Sequence, residues 1–262
     1  MDSKKPHYRV SLSEQALNHE KLMRAIVKNL ADTPMVLKGG TALYLGYGLN
    51  RFSEDLDFDC HKKINLLGRV KSAIPNGIIL NDIHIKKDTD SVGRYATKDN
   101  KEEQTLKLEI SYRDAPKESE VNMIEGMRIA KVKRIIDNKL CACFDGEHTR
   151  TKARDLFDLH FLAKHYEEHF SLDLATRLKE FSKDPDKLVS DYLVDVKLDA
   201  LLNQIMDLEE TALELGVMAQ LIHKKLEKQS HSLNALQEQQ NHNNNDLLDN
   251  ANENTHTPKR RR

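Results

Sequence analysis

A glycine pair and, after a short helix, a closely spaced series of acids mark the first quarter of the chain, and their order narrows the possible folds. "MVLK", residues 35–38, has the apolar character of a short buried strand, and Gly39 and Gly40 predict a turn. "TALYLGYG", residues 41–48, predicts a helix that glycine ends. The stretch therefore predicts a strand, a tight turn and a helix in direct succession.

The acids lie in "DLDFDC", where each acidic residue is followed by an apolar one. Alternation with a period of two is typical of a strand, so Asp55, Asp57 and Asp59 are predicted to share one face of a sheet. Carboxylates two positions apart on a strand are about 6–7 Å apart at the backbone. They can share divalent cations such as Mg²⁺, which prefer oxygen ligands and are often held by one or two carboxylates together with substrate phosphates.

The glycine turn precedes a predicted helix N-terminus, where free backbone N–H groups favour anions. Gly39 and Gly40 have no side chain that would keep a phosphate away, and Thr41 adds a hydroxyl. Beside a pair of cations such a turn suits a triphosphate, because two-metal sites stabilise both the attacking and the leaving oxygen of a displacement. The order strand, Gly-Gly-Thr, helix, Ser-x-Asp-x-Asp is much more specific than a glycine pair alone.

The rest of the chain predicts more strands and then only helices. An amphipathic helix is predicted over residues 12–31, with Ser11 and Glu14 as its capping box. Three strand-like runs and a shorter fourth one follow Pro75, and beyond them apolar residues recur every three or four positions. The predicted fold is α+β, with a mixed-sheet core and flanking helices, followed by a C-terminal helical bundle with a break at Pro185.

Composition sets the predicted domains and excludes some classes of protein. An α/β domain is predicted over residues 1–125, a helical domain that completes the cleft over 126–228, and a disordered tail rich in Gln, Asn and His over 229–262. A net charge of −1 excludes a uniformly basic nucleic-acid coat. Residues 127–154, however, carry eight basic and three acidic side chains, net +5, which could guide a polyanion.

The cysteines and the hydropathy bear on the cellular setting. Three cysteines are too few and odd in number for a disulfide framework, so a reducing cytoplasm is expected. No apolar run approaches the roughly 20 residues of a membrane-spanning helix. A zinc site at Cys141, Cys143 and His148 is disfavoured, because residues two apart on a helix point away from each other and no second cysteine pair follows.

Further charged residues are candidates for the same site, each with an ordinary alternative. Glu109 lies on a later predicted strand with Lys107 on the same face, either as a third acid or as a solvated ion pair. Lys139 is either a cation near a triphosphate or a surface lysine of an amphipathic helix. Asp155 and Asp158 are three apart and so meet on one helical face, an arrangement that is also common on surfaces.

These motifs together resemble the AbiEii/AbiGii nucleotidyltransferases, toxin halves of bacterial toxin–antitoxin and abortive-infection systems in the polymerase-β-like superfamily. The resemblance covers roughly residues 35–165 and depends on four motifs in the same order: "LKGGTAL" with "RFSEDLDF", "LKLEI", the helix with Lys139, and "KARDLFDL". Two positions depart from the superfamily pattern. Gly-Gly-Thr replaces the usual Gly-Ser, and Glu109 stands where Asp is frequent.

The resemblance implies roles for these residues. Two Mg²⁺ or Mn²⁺ ions would be held by Asp55, Asp57 and Glu109, and Glu109 could also act as a base. Implied nucleotide contacts are Gly39, Gly40, Thr41, Ser53, Lys107 and Asp158, with Asp158 also fixing its helix. The implied catalytic residues are Asp55, Asp57, Glu109, Lys139 and Asp155, with Lys139 touching a phosphate.

The favoured hypothesis is a metal-dependent, toxin-like nucleotidyltransferase that moves an NMP from an NTP to an acceptor hydroxyl, with RNA as the favoured acceptor and an antitoxin protein as a further partner. Two alternatives stay open. One is a catalytically silent nucleotide-binding module whose helical half binds proteins. The other is kinase-like phosphotransfer at the same site, because two metals around a triphosphate do not determine the acceptor.

Overall fold

Seven strands form one mixed sheet in the computed structural model, which describes residues 12–78, 80–99, 105–114 and 116–253. The strands are Val36–Lys38 (β1), Leu56–Asp59 (β2), Leu80–Asp88 (β3), Val92–Asp99 (β4), Thr105–Ser111 (β5), Val121–Ile124 (β6) and Met127–Ala130 (β7). Their order is β3-β4-β5-β2-β1-β7-β6. β1 is antiparallel to β2 and parallel to β7, and β2 is parallel to β5. The predicted α+β class with a mixed sheet is confirmed.

Helices flank the sheet and then continue alone. They are Glu14–Asn29 (α1), Gly39–Gly46 (α2), Leu66–Ser72 (α3), Val132–Leu140 (α4), Ala153–His165 (α5), Leu172–Phe181 (α6), Pro185–Leu198 (α7), Leu202–Ile205 (α8) and Leu208–Glu253 (α9). α9 packs on α5, α6 and α7 through small and branched residues that are almost fully buried, such as Ala212, Leu215 and Ala219. The predicted C-terminal helical region is therefore present.

The alternation of apolar and polar residues gives the central strands a core face and a polar face. Leu56 and Phe58 of β2 are buried in the core, and so are Leu106, Leu108 and Ile110 of β5. Successive side chains of a strand point to opposite faces. Asp57 in β2 and the polar positions of β5 therefore project from the other face of the sheet.

The boundary predicted between residues 125 and 126 divides a hairpin. β6 pairs antiparallel with β7, and β7 lies beside β1 near the middle of the sheet. The helical region thus begins at Val132. β6 was not predicted, because "VNMI" is short and shows no clear alternation of polar and apolar residues.

Two other local predictions differ from the structure: the cap of α1, and the single long helix that the periodicity of residues 186–210 predicts. Ser13, not Ser11, caps α1 by accepting a hydrogen bond from the Ala16 N–H, and Ser11 lies outside the described residues. The long helix predicted after Pro185 is interrupted at Asp199, whose carboxylate accepts hydrogen bonds from the Leu201 and Leu202 N–H groups. Such capping ends one helix and begins the next.

The C-terminal stretch also differs from its prediction in part. The structure continues α9 to Glu253, whereas composition predicted disorder from residue 229. Gln, Glu, Leu and Ala have good helix propensity, and adding residues to an existing helix avoids the cost of a new nucleus. Residues 254–262 lie outside the described part of the chain. Within that part, no helix combines the length and the apolar character needed to cross a membrane.

Candidate active site

The predicted glycine turn is the first turn of α2, directly after β1, and Gly39 lies against an acid of β2. Gly39 has a φ of +71°, in the left-handed region that favours glycine, and a Cβ there would be 3.2 Å from Asp57 Oδ2. A Cβ on Gly40 would be 2.5 Å from Arg51 Nη2 and 3.3 Å from Ser53 Oγ. Bare backbone at both positions is therefore what allows the turn to approach the acid and the arginine.

Two buried hydroxyls connect this turn to the acidic strand. Thr41 Oγ1 lies 2.7 Å from Ser53 Oγ and donates a hydrogen bond to the Asp55 carbonyl. The exposed fractions of Thr41 and Ser53 are only 1% and 7%. Sequence reasoning gave both hydroxyls a nucleotide contact, whereas in the structure each of them fixes the position of the acidic strand relative to α2.

One row of charged residues crosses four neighbouring strands. Lys38 pairs with Asp57, Asp57 with Glu109, and Glu109 with Arg94. Residues paired in register on adjacent strands lie on the same face of a sheet. Asp57 and Glu109 therefore share a face, and Asp55 lies 4.0 Å from Lys107 beside them.

Asp59 belongs to the same alternating series but has a different environment. Its carboxylate lies 2.6 Å from Lys38 Nζ and 3.1 Å from Arg134 Nη2, and it is almost completely buried. These ion pairs occupy both oxygens. Asp59 thus has a structural role, because its ion pairs join β2 to β1 and α4.

Both of the other acids are held in an environment that disfavours their charge. Burial raises the pKa of Asp57 to about 6; Lys38 opposes this shift, and the nearby carboxylates of Asp55 and Glu109 add to it. Burial also raises the pKa of Asp55, against the opposite effect of Lys107. Acids that are close together and short of compensating positive charge are suited to a divalent cation.

The fit to a cation is good for two acids and incomplete for the third. Asp55 and Asp57 offer the hard oxygen ligands that Mg²⁺ prefers. Glu109 Oε2 instead accepts a hydrogen bond from Arg94 Nε at 2.6 Å, and both side chains are about half exposed. Among the described residues, no three His, Cys, Asp or Glu side chains converge as a metal site. The three carboxylates share a face but do not meet at one point.

A buried cluster of charges lies next to these acids. Lys139 Nζ is 2.6 Å from an oxygen of Asp155 and 2.6 Å from an oxygen of Asp158. Arg51 donates from Nε and Nη2 to the two oxygens of Asp158, both at 2.7 Å. Arg150 donates from Nε to Asp155 at 2.9 Å. Three cations and two anions thus connect the loop before β2, α4 and α5.

This burial bears on two implied roles. Asp158 has no exposed surface and Arg51 and Lys139 occupy its oxygens, so in the structure it holds these two side chains in place. Lys139 is 7% exposed and bound by two aspartates, so the direct phosphate contact implied for it does not fit. Burial alone would lower the pKa of Lys139, but Asp158 and Asp155 outweigh it and raise that pKa.

The neighbouring cations stabilise the ionised form of Asp155. Burial by itself would raise its pKa, but the charge of Lys139 and the hydrogen bond and charge of Arg150 lower the pKa to about 2. Its carboxylate is therefore ionised at any physiological pH. It can fix both cations in place.

Sequence reasoning missed three arginines of this region. Arg51 precedes Ser53 inside the quoted "RFSEDLDF", and its place in that motif was a usable signal. Arg150 was counted only as part of the basic stretch. Arg94 lies on β4, which gave no sign of its position opposite Glu109.

An open cleft of about 540 Å³ lies on the side of Asp55, lined by Glu54, Lys152 and Arg154 on one side and by the end of α7 on the other. Arg154 Nε donates to Asp199 at 2.6 Å, and the charge of Arg154 also acts on Asp55. Glu54 of the cleft wall directly precedes Asp55, so the cleft opens next to the acidic segment.

Comparison with known proteins gives three findings. A family model described as "Nucleotidyl transferase AbiEii toxin, Type IV TA system" matches residues 21–244. The crystal structure of JHP933 from Helicobacter pylori is similar to this chain, with 92% identity and a TM-score of 0.84, over 87% of this chain and 100% of JHP933. A candidate nucleotidyltransferase from H. pylori shows 91% identity and a TM-score of 0.80, over 83% of this chain and 98% of that one. No curated protein matches the chain significantly.

Proposed function

We propose, from the premise that the chain belongs to the AbiEii family of nucleotidyltransferase toxins of type IV toxin–antitoxin systems, that it moves an NMP from an NTP to an acceptor hydroxyl in a metal-dependent reaction. The family makes the chain a nucleotidyltransferase. The metal dependence, the acceptor and the residue roles are our proposal.

The observation that carries the proposal is the contact between Gly39 and Asp57. A bare, left-handed glycine at the start of α2 lies against a carboxylate whose pKa burial raises to about 6. The turn would offer N–H groups to phosphate oxygens, and the carboxylate would offer oxygens to a divalent cation. Asp55 and Asp57 would hold Mg²⁺ or Mn²⁺, which when bound supplies charge stabilisation at the phosphates.

The transfer itself is a displacement at the α-phosphorus. The acceptor oxygen forms a bond to that phosphorus while the bond to the bridging α,β-oxygen breaks, and pyrophosphate leaves with the electron pair. The hydroxyl proton passes to a base, for which Glu109 is our candidate because it shares the face of Asp57. Lys107 would lie beside Asp55 and the substrate.

The acceptor is proposed to be RNA, because residues 127–154 carry a net charge of +5 and reach the open cleft through Lys152 and Arg154. In the cleft wall these two side chains are paired with Asp195 and Asp199, so the attraction comes from the segment as a whole. A polyanion is attracted to such a surface, in a manner that depends on salt. A cognate antitoxin and a cytoplasmic setting are further parts of the proposal, in keeping with the family and with three free cysteines.

The test is transfer from each labelled NTP to total RNA in the presence of Mg²⁺ or Mn²⁺. We expect labelled RNA from the wild-type chain and a loss of at least about a hundredfold in Asp57→Asn, since a lost catalytic ligand removes charge stabilisation at the phosphates. Lys187→Gln, which removes an exposed ion pair with Asp191, is the matched control and should keep full activity.

Other products would point elsewhere. Nucleotide binding without any transfer would favour the silent module, and transfer of the γ-phosphate would favour kinase-like chemistry. Equal labelling by the wild type and by Asp57→Asn would contradict the proposed site.

A further inference from the structure

Arg150 is the accessible cation of the buried charge cluster. It lies in the loop before α5, and its side chain is 60% exposed, whereas Asp155, which it contacts, is 2% exposed. Its backbone N–H donates to the Ala142 carbonyl at 2.8 Å, so the loop is fixed at this residue. The guanidinium is thus anchored on the cluster but faces the open side.

The geometry of the contact leaves donors of Arg150 available. Nε donates to one oxygen of Asp155 at 2.9 Å, and Nη2 lies 3.4 Å from the other oxygen. Nη1 makes no hydrogen bond to any residue in the described ranges of the chain. A guanidinium held along one edge by a carboxylate presents its remaining N–H groups in a fixed direction.

Two neighbouring acids, Asp155 and Asp57, act electrostatically on Arg150. The hydrogen bond to Asp155 and, farther away, the charge of Asp57 raise the pKa of Arg150, against the effect of burial. Arg150 therefore lies within electrostatic range of the carboxylate proposed to hold the cation. A continuous series of contacts also joins it to the glycine turn, from Gly40 through Arg51, Asp158, Lys139 and Asp155 to Arg150.

The other two cations of the cluster cannot play the same part. Lys139 is buried between two aspartates. Arg51 uses Nε and Nη2 on Asp158 and donates from Nη1 to the Phe52 carbonyl at 3.3 Å. Both serve to position neighbouring groups, because their donors are already bound inside the protein.

We propose that Arg150 binds the β- and γ-phosphates of the NTP, the part that leaves as pyrophosphate, and that Asp155 and Lys139 are the residues that position it. This inference rests on the proposed nucleotidyl transfer. Guanidinium groups match phosphate oxygens in geometry, remain charged at all relevant pH values and are weakly hydrated. A cation here stabilises the negative charge that develops on the leaving group.

The test compares nucleotides that differ only in their phosphates, using the full chain with Ca²⁺ or Mn²⁺ and calorimetry. ATP, GTP, CTP and UTP are first tried with the wild type, and the tightest is used with its NDP and NMP. We expect Arg150→Gln to weaken NTP binding about ten- to a hundredfold, because charged hydrogen bonds are lost, and to leave NMP binding within about twofold. Arg150→Lys should recover part of the loss.

Arg69→Gln is the matched control, since Arg69 is an exposed arginine paired with a single acid, Asp32, away from the site. It should bind NTP like the wild type. Urea unfolding of each variant separates binding from folding. Arg150→Gln should stay folded under the binding conditions with a somewhat lower midpoint, because Asp155 loses one ion pair but keeps Lys139 as its partner.

The outcomes are distinguishable. Unchanged NTP binding by Arg150→Gln would overturn the inference while the proposed function stands. An equal loss of NTP and NMP binding would mean a structural role and would also overturn it. A wild type that binds none of the four NTPs would contradict the proposed function itself.

Discussion

Arg51 and Asp158 form a two-point ion pair in the interior, with both donor–acceptor distances at 2.7 Å, although 107 positions separate them in the chain. Arg51 precedes the acidic strand and lies against Gly40 of the turn, and Asp158 belongs to α5 of the helical region. The pair therefore fixes α5 relative to the glycine turn. Removing either charge leaves the other buried without its partner.

Asp158→Asn should lower the free energy of unfolding by about 3–5 kcal/mol, because breaking a buried ion pair leaves an uncompensated charge. The measurement is urea unfolding at pH 7. Asp191→Asn is the control, since Asp191 forms an exposed pair with Lys187 four positions away. Its cost should stay below about 0.5 kcal/mol, and similar costs for the two variants would show that the Asp158 pair is not buried as described.

Gly39→Ala should reduce nucleotidyl transfer by at least about tenfold. An added Cβ would lie 3.2 Å from Asp57 Oδ2, and a small displacement of a reacting group has a large effect on rate. Gly77→Ala is a matched control, because Gly77 also has a positive φ (+85°) but nothing lies within 4 Å of its added Cβ. Each should cost about 1–2 kcal/mol of stability from the left-handed backbone. Only Gly39→Ala should lose activity, and a parallel loss in both would mean a general effect of backbone strain.

Asp57→Asn and Asp59→Asn should shift stability in opposite directions at pH 8 without divalent cations. Asp57 has a raised pKa of about 6, so its ionised form destabilises the folded chain. Its replacement should stabilise by about 1–2 kcal/mol, allowing for partial exposure. Asp59 is paired with Lys38 and Arg134, so its replacement should destabilise by about 2–4 kcal/mol.

Activity should follow the reverse order, with transfer abolished in Asp57→Asn and retained by the folded fraction of Asp59→Asn. A destabilised Asp57→Asn would show that Asp57 is an ordinary paired acid. Thermal unfolding in EDTA and the RNA-labelling assay give the two readouts.

The stability contributed by Asp155 should depend on pH in the acid range. Its folded-state pKa is lowered to about 2, below that of an unfolded aspartate near 4, so the unfolded chain binds more protons between these values. The contribution, about 2 kcal/mol, is complete above pH 4 and disappears as the pH falls toward 2. The difference in unfolding free energy between the wild type and Asp155→Asn should therefore shrink over this range. A constant difference would contradict the lowered pKa.

The polar face of the central strands was predictable from the sequence, whereas the buried charges were not. Alternation places Asp57 and Glu109 on one face because their apolar neighbours fill the core. The same alternation also included Asp59, which is neutralised by Arg134, 75 positions away. Local periodicity does not contain such long-range partners.

The helical residues show the same limit. Two acids three positions apart share a helix face whether that face is exposed or buried. Asp158 is buried only because Arg51 and Lys139 reach it from other elements. The family resemblance pointed to these positions, but a resemblance does not separate groups that touch a substrate from groups that hold other side chains.

The place of β7 beside β1 has a consequence for any attempt to divide the protein. A fragment ending at residue 125 would lack Met127–Ala130, so Val36–Lys38 would become an exposed edge strand of the sheet. An exposed edge strand can pair with a strand of another chain, and this leads to aggregation. β1, the strand that leads into Gly39, would then be free to pair with other chains. The α/β region and the helical region should therefore be produced as a single polypeptide.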